Sequence, residues 1–154
     1  MQEELAQNAA GFSSQLQQLA VLIDAEISQA FRKGVLDVHR NITKRSPVDT
    51  GAYRASNAIA NLEPSEGEGV VKGVKDQEIP ESVALQKAMA WTWKVGDGDI
   101  WLFNNLPYAE RLENGWSKQA PMGIYRLALQ EMMLFLYKEI QKMKTLVPTG
   151  GGTE

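Results

Sequence analysis

The chain contains no cysteine, and that absence removes disulfide frameworks, thiolate metal sites and thiol nucleophiles at once. It holds a single histidine, His39. A Ser-His-Asp triad would have to be built on that one ring, in the middle of a helical pattern and without an evident orienting partner. His39 is therefore read as a solvated or interface residue of a helix. No G-x-S-x-G elbow, phosphate-cradling glycine loop or pair of histidines at ligand spacing occurs. Long apolar runs are missing too, which leaves no candidate for a membrane-spanning helix. Residues 1–10 carry Glu3 and Glu4 instead of a basic start leading into an apolar stretch, so no secretory signal is expected there. An excess of positive charge is also lacking. The formal net charge is -3, whereas a protein built to grip phosphates presents a basic face.

What is present fits one domain: 154 residues, 44% of them apolar, suffice for a single modest core. Through residues 13–45 the apolar positions Leu16, Leu19, Ala20, Ile23, Ile27, Ala30, Phe31, Val35, Val38 and Ile42 recur at three- and four-residue steps, the period of an amphipathic helix. Such a helix would run roughly 45–50 Å, longer than a compact domain of this size needs, so part of it is expected to pack on something else. Gly34 lies on the apolar stripe, where another backbone can come close or the helix can bend. Lys44 and Arg45 close the pattern as cations at the negative end of the helix dipole, with DNA contact as the alternative reading.

Pro47, Val48, Asp49, Thr50 and Gly51 make a turn in which Asp49 or Thr50 can accept backbone N–H bonds. Residues 53–62 and 69–75 read as two strands of a hairpin, joined by a polar connection over 63–68. Pro80, Glu81, Val83, Leu85, Ala88 and Met89 predict a shorter helix ending near Trp93. Gly96, Asp97, Gly98 and Asp99 form a turn; they lack the further oxygen ligands that a calcium loop needs. Residues 100–103 read as a short buried strand. Asn104, Asn105 and Pro107 open a short helix over 107–114 that stops at Gly115. A last helix covers 121–146, and its stretch 132–137 is apolar almost all round, which predicts burial on more than one side. The composition of residues 147–154 predicts a flexible tail after an ordered core over 12–146.

Candidates for chemistry are few. Glu110 and Glu113 are a carboxylate pair of the kind glycosidases use, but with Arg111 between them a solvated charged face is the better reading. Trp91, Trp93, Trp101 and Trp116 come without interleaved arginines and lysines, which favours core and subunit contact over base or sugar stacking. Nothing demands a cofactor. The residues predict an α+β fold, a small, mainly antiparallel β-sheet flanked by a long N-terminal and a long C-terminal helix.

Two stretches add to this reading: Ser46-Pro47-Val48-Asp49-Thr50-Gly51-Ala52-Tyr53-Arg54-Ala55-Ser56, and the run from Asn104-Asn105-Leu106-Pro107-Tyr108-Ala109-Glu110 through Glu113-Asn114-Gly115-Trp116-Ser117 to Ala120-Pro121-Met122-Gly123. Together they resemble the minor tail protein Z family and its neck and tail-completion relatives in long-tailed bacteriophages. The resemblance follows the family order over residues 12–146, apart from 63–93. It implies a virion structural protein and not an enzyme, assembled in the host cytoplasm and placed at the head–tail neck. There it would act as a tail completion or terminator protein, bound to other neck and tail proteins. It further implies a homo-oligomeric ring, six copies being favoured and twelve the alternative, around a channel that passes DNA without sequence-specific binding. Acidic subunits suit such a channel through like-charge repulsion. Pro107, Tyr108, Arg111, Trp116, Pro121, Phe135 and Tyr137 are the subunit-interface candidates, because proline fixes backbone direction at low entropy cost and large aromatics are enriched at interfaces. Their alternative use is packing within the chain. A second function class is a nucleic-acid-binding accessory factor working through Arg40, Lys44, Arg45 and Arg54.

Overall fold

The three- and four-residue period at the start of the chain becomes α1 (Gln2–Arg45), 44 residues long, or about 66 Å. The computed structural model describes residues 2–146, with side chains at 11 and 13–142. The expected flexible tail over 147–154 lies outside the described residues. After α1 come α2 (Ala52–Ala55), β1 (Ala58–Ala60), α3 (Ser82–Ala90), β2 (Trp101–Phe103), α4 (Ala109–Glu113) and α5 (Tyr125–Leu146). The α+β architecture is as expected: β1 and β2 pair antiparallel in register Ala58 with Phe103, Ile59 with Leu102 and Ala60 with Trp101.

The two long helices pack antiparallel, since Arg45 meets Glu131 while the earlier Gly34 meets the later Phe135. The core forms between them and the short elements: Val38, Ile42, Tyr53, Ala120, Ile124 and Ala128 are buried in one cluster. Full burial of each large apolar side chain contributes roughly 1.5–3 kcal/mol. At the edge of this seam the Arg45 guanidinium binds the carboxylate of Glu131, and Asn41 donates to the same group at 3.1 Å. That bond from Arg45 holds the Glu131 carboxyl below its usual range. Arg45 is thus spent on α5 rather than on capping the carbonyls of its own helix.

Several expectations need correction. The helix over 13–45 begins much earlier, at Gln2. The hairpin over 53–62 and 69–75 does not form. Ala55 N–H donates to Gly51 O at 2.9 Å, which winds residues 52–55 into a helical turn and leaves only residues 58–60 extended. Val71 N–H donates to the Ser56 hydroxyl at 2.9 Å, so a side chain takes the ladder position that a strand partner would fill. The strand partner of β1 instead arrives from residues 101–103. The helix expected from Pro80 to Trp93 is shorter at both ends, and those expected to begin at Pro107 and Pro121 begin at Ala109 and Tyr125. In each case proline sits in the turn before the helix rather than in it. Residues 100–103 are not a buried strand: Trp101 faces solvent and Leu102 and Phe103 are half-buried, because a two-stranded sheet is covered on one side only.

His39 is the largest departure. Its ring is buried instead of solvated, with Nε2 at 3.2 Å from the carbonyl oxygen of Asn57 and Nδ1 without a partner. Burial pushes its pKa below the usual value against the smaller opposing effect of that hydrogen bond. A neutral ring donating from Nε2 satisfies the Asn57 carbonyl, and this tautomer places the lone pair on Nδ1.

Candidate interaction site

The two motif stretches, far apart in the chain, fold against each other. Gln119 joins them: its side-chain oxygen accepts from Val48 N–H at 2.9 Å, and its Nε2 donates to Val48 O at 3.2 Å. One amide thereby satisfies both polar groups of a backbone unit, as a neighbouring strand would. On the other side of the turn Ile79 N–H donates to Thr50 O at 2.9 Å. Gly51 has φ of 77°, and a Cβ there would stand 2.5 Å from Ile79 O, so no other residue fits this corner unstrained. Of the two predicted acceptors in the turn, the Thr50 hydroxyl is the one engaged, at 3.4 Å from Ala52 N. Asp49 stays exposed.

Between the stretches lies a cleft of about 430 Å³ whose walls include Pro47, Asp49, Tyr53, Tyr108, Trp116 and Lys118. The Tyr53 and Tyr108 rings are 6.3 Å apart and tilted by 33°. Tyr53 is buried, whereas Tyr108 is 40% and Trp116 73% exposed. The Arg111 guanidinium stands 5.5 Å from the centre of the Trp116 ring, a cation–π arrangement. Burial, and to a lesser degree the charge of Asp49, raise the pKa of Tyr108.

Beneath the cleft Glu113 performs a task that sequence reasoning missed. Its Oε2 accepts from Ile124 N–H at 2.8 Å and Tyr125 N–H at 2.9 Å, and its Oε1 accepts from Arg126 N–H at 2.9 Å. These are amides of the first turn of α5, which have no partner within their own helix, and a carboxylate there also complements the helix dipole. Glu113 is therefore a cap, not part of a solvated charged face. Gly123, with φ of 83°, lets the chain pass under it, since a Cβ would stand 2.7 Å from Glu113 O.

Asn57 is the second residue that sequence reasoning missed. It is 1% exposed, and its side chain donates to Ser46 Oγ at 2.8 Å while accepting from Tyr125 OH at 2.8 Å and Asn104 Nδ2 at 2.9 Å. Asn104 also donates to Tyr53 O at 2.8 Å, and Asn105 ties down the 65–68 loop through Ser65 O at 3.0 Å. These asparagines stitch loops together instead of capping α4. Burial first, then the charge of Glu113, keeps the Tyr53 phenol protonated; the Tyr125 pKa is raised chiefly by burial, then by Tyr53 and Glu113. Both serve as hydrogen-bonding and packing groups.

The chain matches no family model, no curated protein and no solved structure. Many residues of the two motif stretches have an architectural use: Thr50 and Gly51 in the corner, Gln119 across the cleft, Glu113 and Gly123 at the helix start. Tyr108, Arg111 and Trp116 of the same stretches face outward.

The seven interface candidates fall into two groups. Pro107, Tyr108, Arg111, Trp116 and Pro121 are exposed residues on α4 and in the segments before and after it, with Tyr108 and Trp116 on the cleft. Phe135 and Tyr137 stand on α5, where Phe135 turns inward onto Gly34 and Tyr137 faces solvent. The expected burial of 132–137 on more than one side is not achieved within one chain, since Met133, Leu134 and Tyr137 are exposed. Among the described residues no three acidic or histidine side chains are grouped to hold a metal ion, and no helix is long and apolar enough to cross a membrane.

Proposed function

We propose that the chain is a non-enzymatic structural subunit of a long-tailed bacteriophage virion. It forms a homo-oligomeric ring at the head–tail junction, completes or terminates the tail, and joins it to the head connector around the DNA channel. The observation that carries the ring is uncovered apolar surface. On the described residues, Val21 is 68% and Leu22 63% exposed on α1, and Met133, Leu134 and Tyr137 are similarly open on α5. Apolar patches of that extent mark association surfaces. The phage setting is carried by the motif resemblance, and the exposed Tyr108, Arg111 and Trp116 supply the aromatic and arginine anchors typical of a protein contact.

Native mass spectrometry of the purified chain tests the ring, with six copies expected and twelve the alternative. Reconstruction of the virion neck tests the location. A well-folded monomer absent from virions overturns both parts. The nucleic-acid reading has less support: Arg40 pairs with Asp37, Arg45 with Glu131 and Arg54 with Glu78, so three of its four cations are already neutralised by acids.

A further inference from the structure

Residues 19–23 of α1 are Leu19, Ala20, Val21, Leu22 and Ile23, and all five are exposed. A helix needs one apolar stripe to pack on one neighbour, so a turn that is apolar all round calls for cover. Its own chain does not supply it among the described residues.

A surface of matching shape lies on the outer side of α5. Leu129, Met133, Tyr137 and Ile140 follow one another at steps of four, four and three and are all exposed, on the face turned away from Ala128, Met132 and Phe135. Residues 129–140 and residues 16–27 each span roughly 17 Å of helix. Charge selects the pairing. Residues 11–31 hold Asp24 and Glu26 and no cation, so two such segments brought side by side combine like charges. On α5, Glu131 is taken by Arg45 and Glu139 by Lys142, which leaves Arg126 and Lys138 without an acidic partner among the described residues. Segment 16–27 thus finds both apolar and charge complementarity on α5, not on another copy of itself.

We propose that residues 16–27 of α1 from one copy lie along the Leu129–Met133–Tyr137–Ile140 stripe of α5 in the next copy. The inference rests on the reading of the chain as a ring subunit and names the surfaces that meet. The contact is heterologous, the kind that propagates around an axis and closes when the rotation permits.

The absence of cysteine makes the test direct. Leu19→Cys and Met133→Cys are made singly, mixed and oxidised, and also combined in one full-length chain. The mixture is expected to give a 19–133 disulfide dimer, and the double variant a ladder that ends at the ring copy number. A link within one chain is excluded by distance, because residue 19 lies roughly 22 Å along α1 from the level of Gly34 and Phe135, whereas a disulfide needs Cα atoms within about 7 Å. An oligomer lacking the 19–133 link, or linked only 19 to 19, overturns this contact and leaves the ring reading standing. A monomer without links overturns both. Ile23→Asp provides a second measure: its side chain is exposed in the single chain, so the fold and melting temperature should hold while assembly weakens by about 30-fold or more, the effect of losing one interface anchor.

Discussion

The Phe135 ring occupies the space that a side chain on Gly34 would need: a Cβ built on residue 34 would stand 2.6 Å from Phe135 Cε1. The sequence marked Gly34 as a point where another backbone can come close or the helix can bend; the neighbour is an aromatic side chain instead. An aromatic face pressed against a bare helix turn lets α1 and α5 come near over this part of the seam. Gly34→Val should lower stability by about 1–3 kcal/mol through overpacking, despite the better helix propensity of valine. Gly34→Ala/Phe135→Leu should recover much of the loss suffered by Gly34→Ala alone, and urea unfolding of all four species measures the coupling. Purely additive effects would show that the ring moves away freely.

Glu113 holds three amides at the start of α5 with one carboxylate. Glu113→Ala should cost about 1–2 kcal/mol, the range for a lost helix cap, and Glu113→Gln less, since an amide oxygen still accepts while the charge on the dipole is gone. Thermal melts of the two variants check the order. An active-site glutamate without a capping role would leave both melts unchanged.

The buried His39 makes stability depend on pH in a defined direction. Its folded pKa lies below the ordinary 6.5, so the unfolded chain binds the proton first as the solution is acidified. The contribution is complete above about pH 6.5 and declines as the pH falls toward the folded value, by at most about 1.4 kcal/mol per pH unit. Urea midpoints at pH 7.5, 6.5 and 5.5 should fall in that order, and His39→Gln should flatten the part of the slope below 6.5. An unchanged slope in the variant would assign the acid sensitivity to other groups.

Trp116 and Arg111 form an exposed pair beside the cleft. Trp116→Ala should leave stability within about 0.5 kcal/mol, as surface changes do. Incorporation into virions, or binding to a neighbouring neck protein, should drop by about 30-fold, the scale of one interface anchor. Loss of folding on this substitution would reassign Trp116 to the core.

Which parts of this molecule were legible beforehand follows from the range over which each feature is decided. The two long helices were, because periodicity along α1 and α5 is a property of neighbouring residues. The Pro47–Gly51 corner was as well, since proline and glycine impose their torsions locally. The hairpin failed on a single hydroxyl: Ser56 takes the Val71 amide, and no pattern of apolar alternation reports such a competitor. The catalytic and interface candidates separate on the same ground. Glu113 looked like any charged helix residue until the chain brought the α5 amides onto it.

By itself, then, the order of residues determined the two long helices, the turns and the lack of thiol chemistry, since each is set by composition or by contacts a few residues apart. Only the tertiary structure decided that β1 pairs with β2, that His39 and Asn57 are buried together, that Gln119 closes the cleft on Val48, and which apolar residues stay in water. Those outcomes depend on groups brought together from distant points of the chain, where a buried polar atom must find a partner and a side chain can fill only the space its neighbours leave.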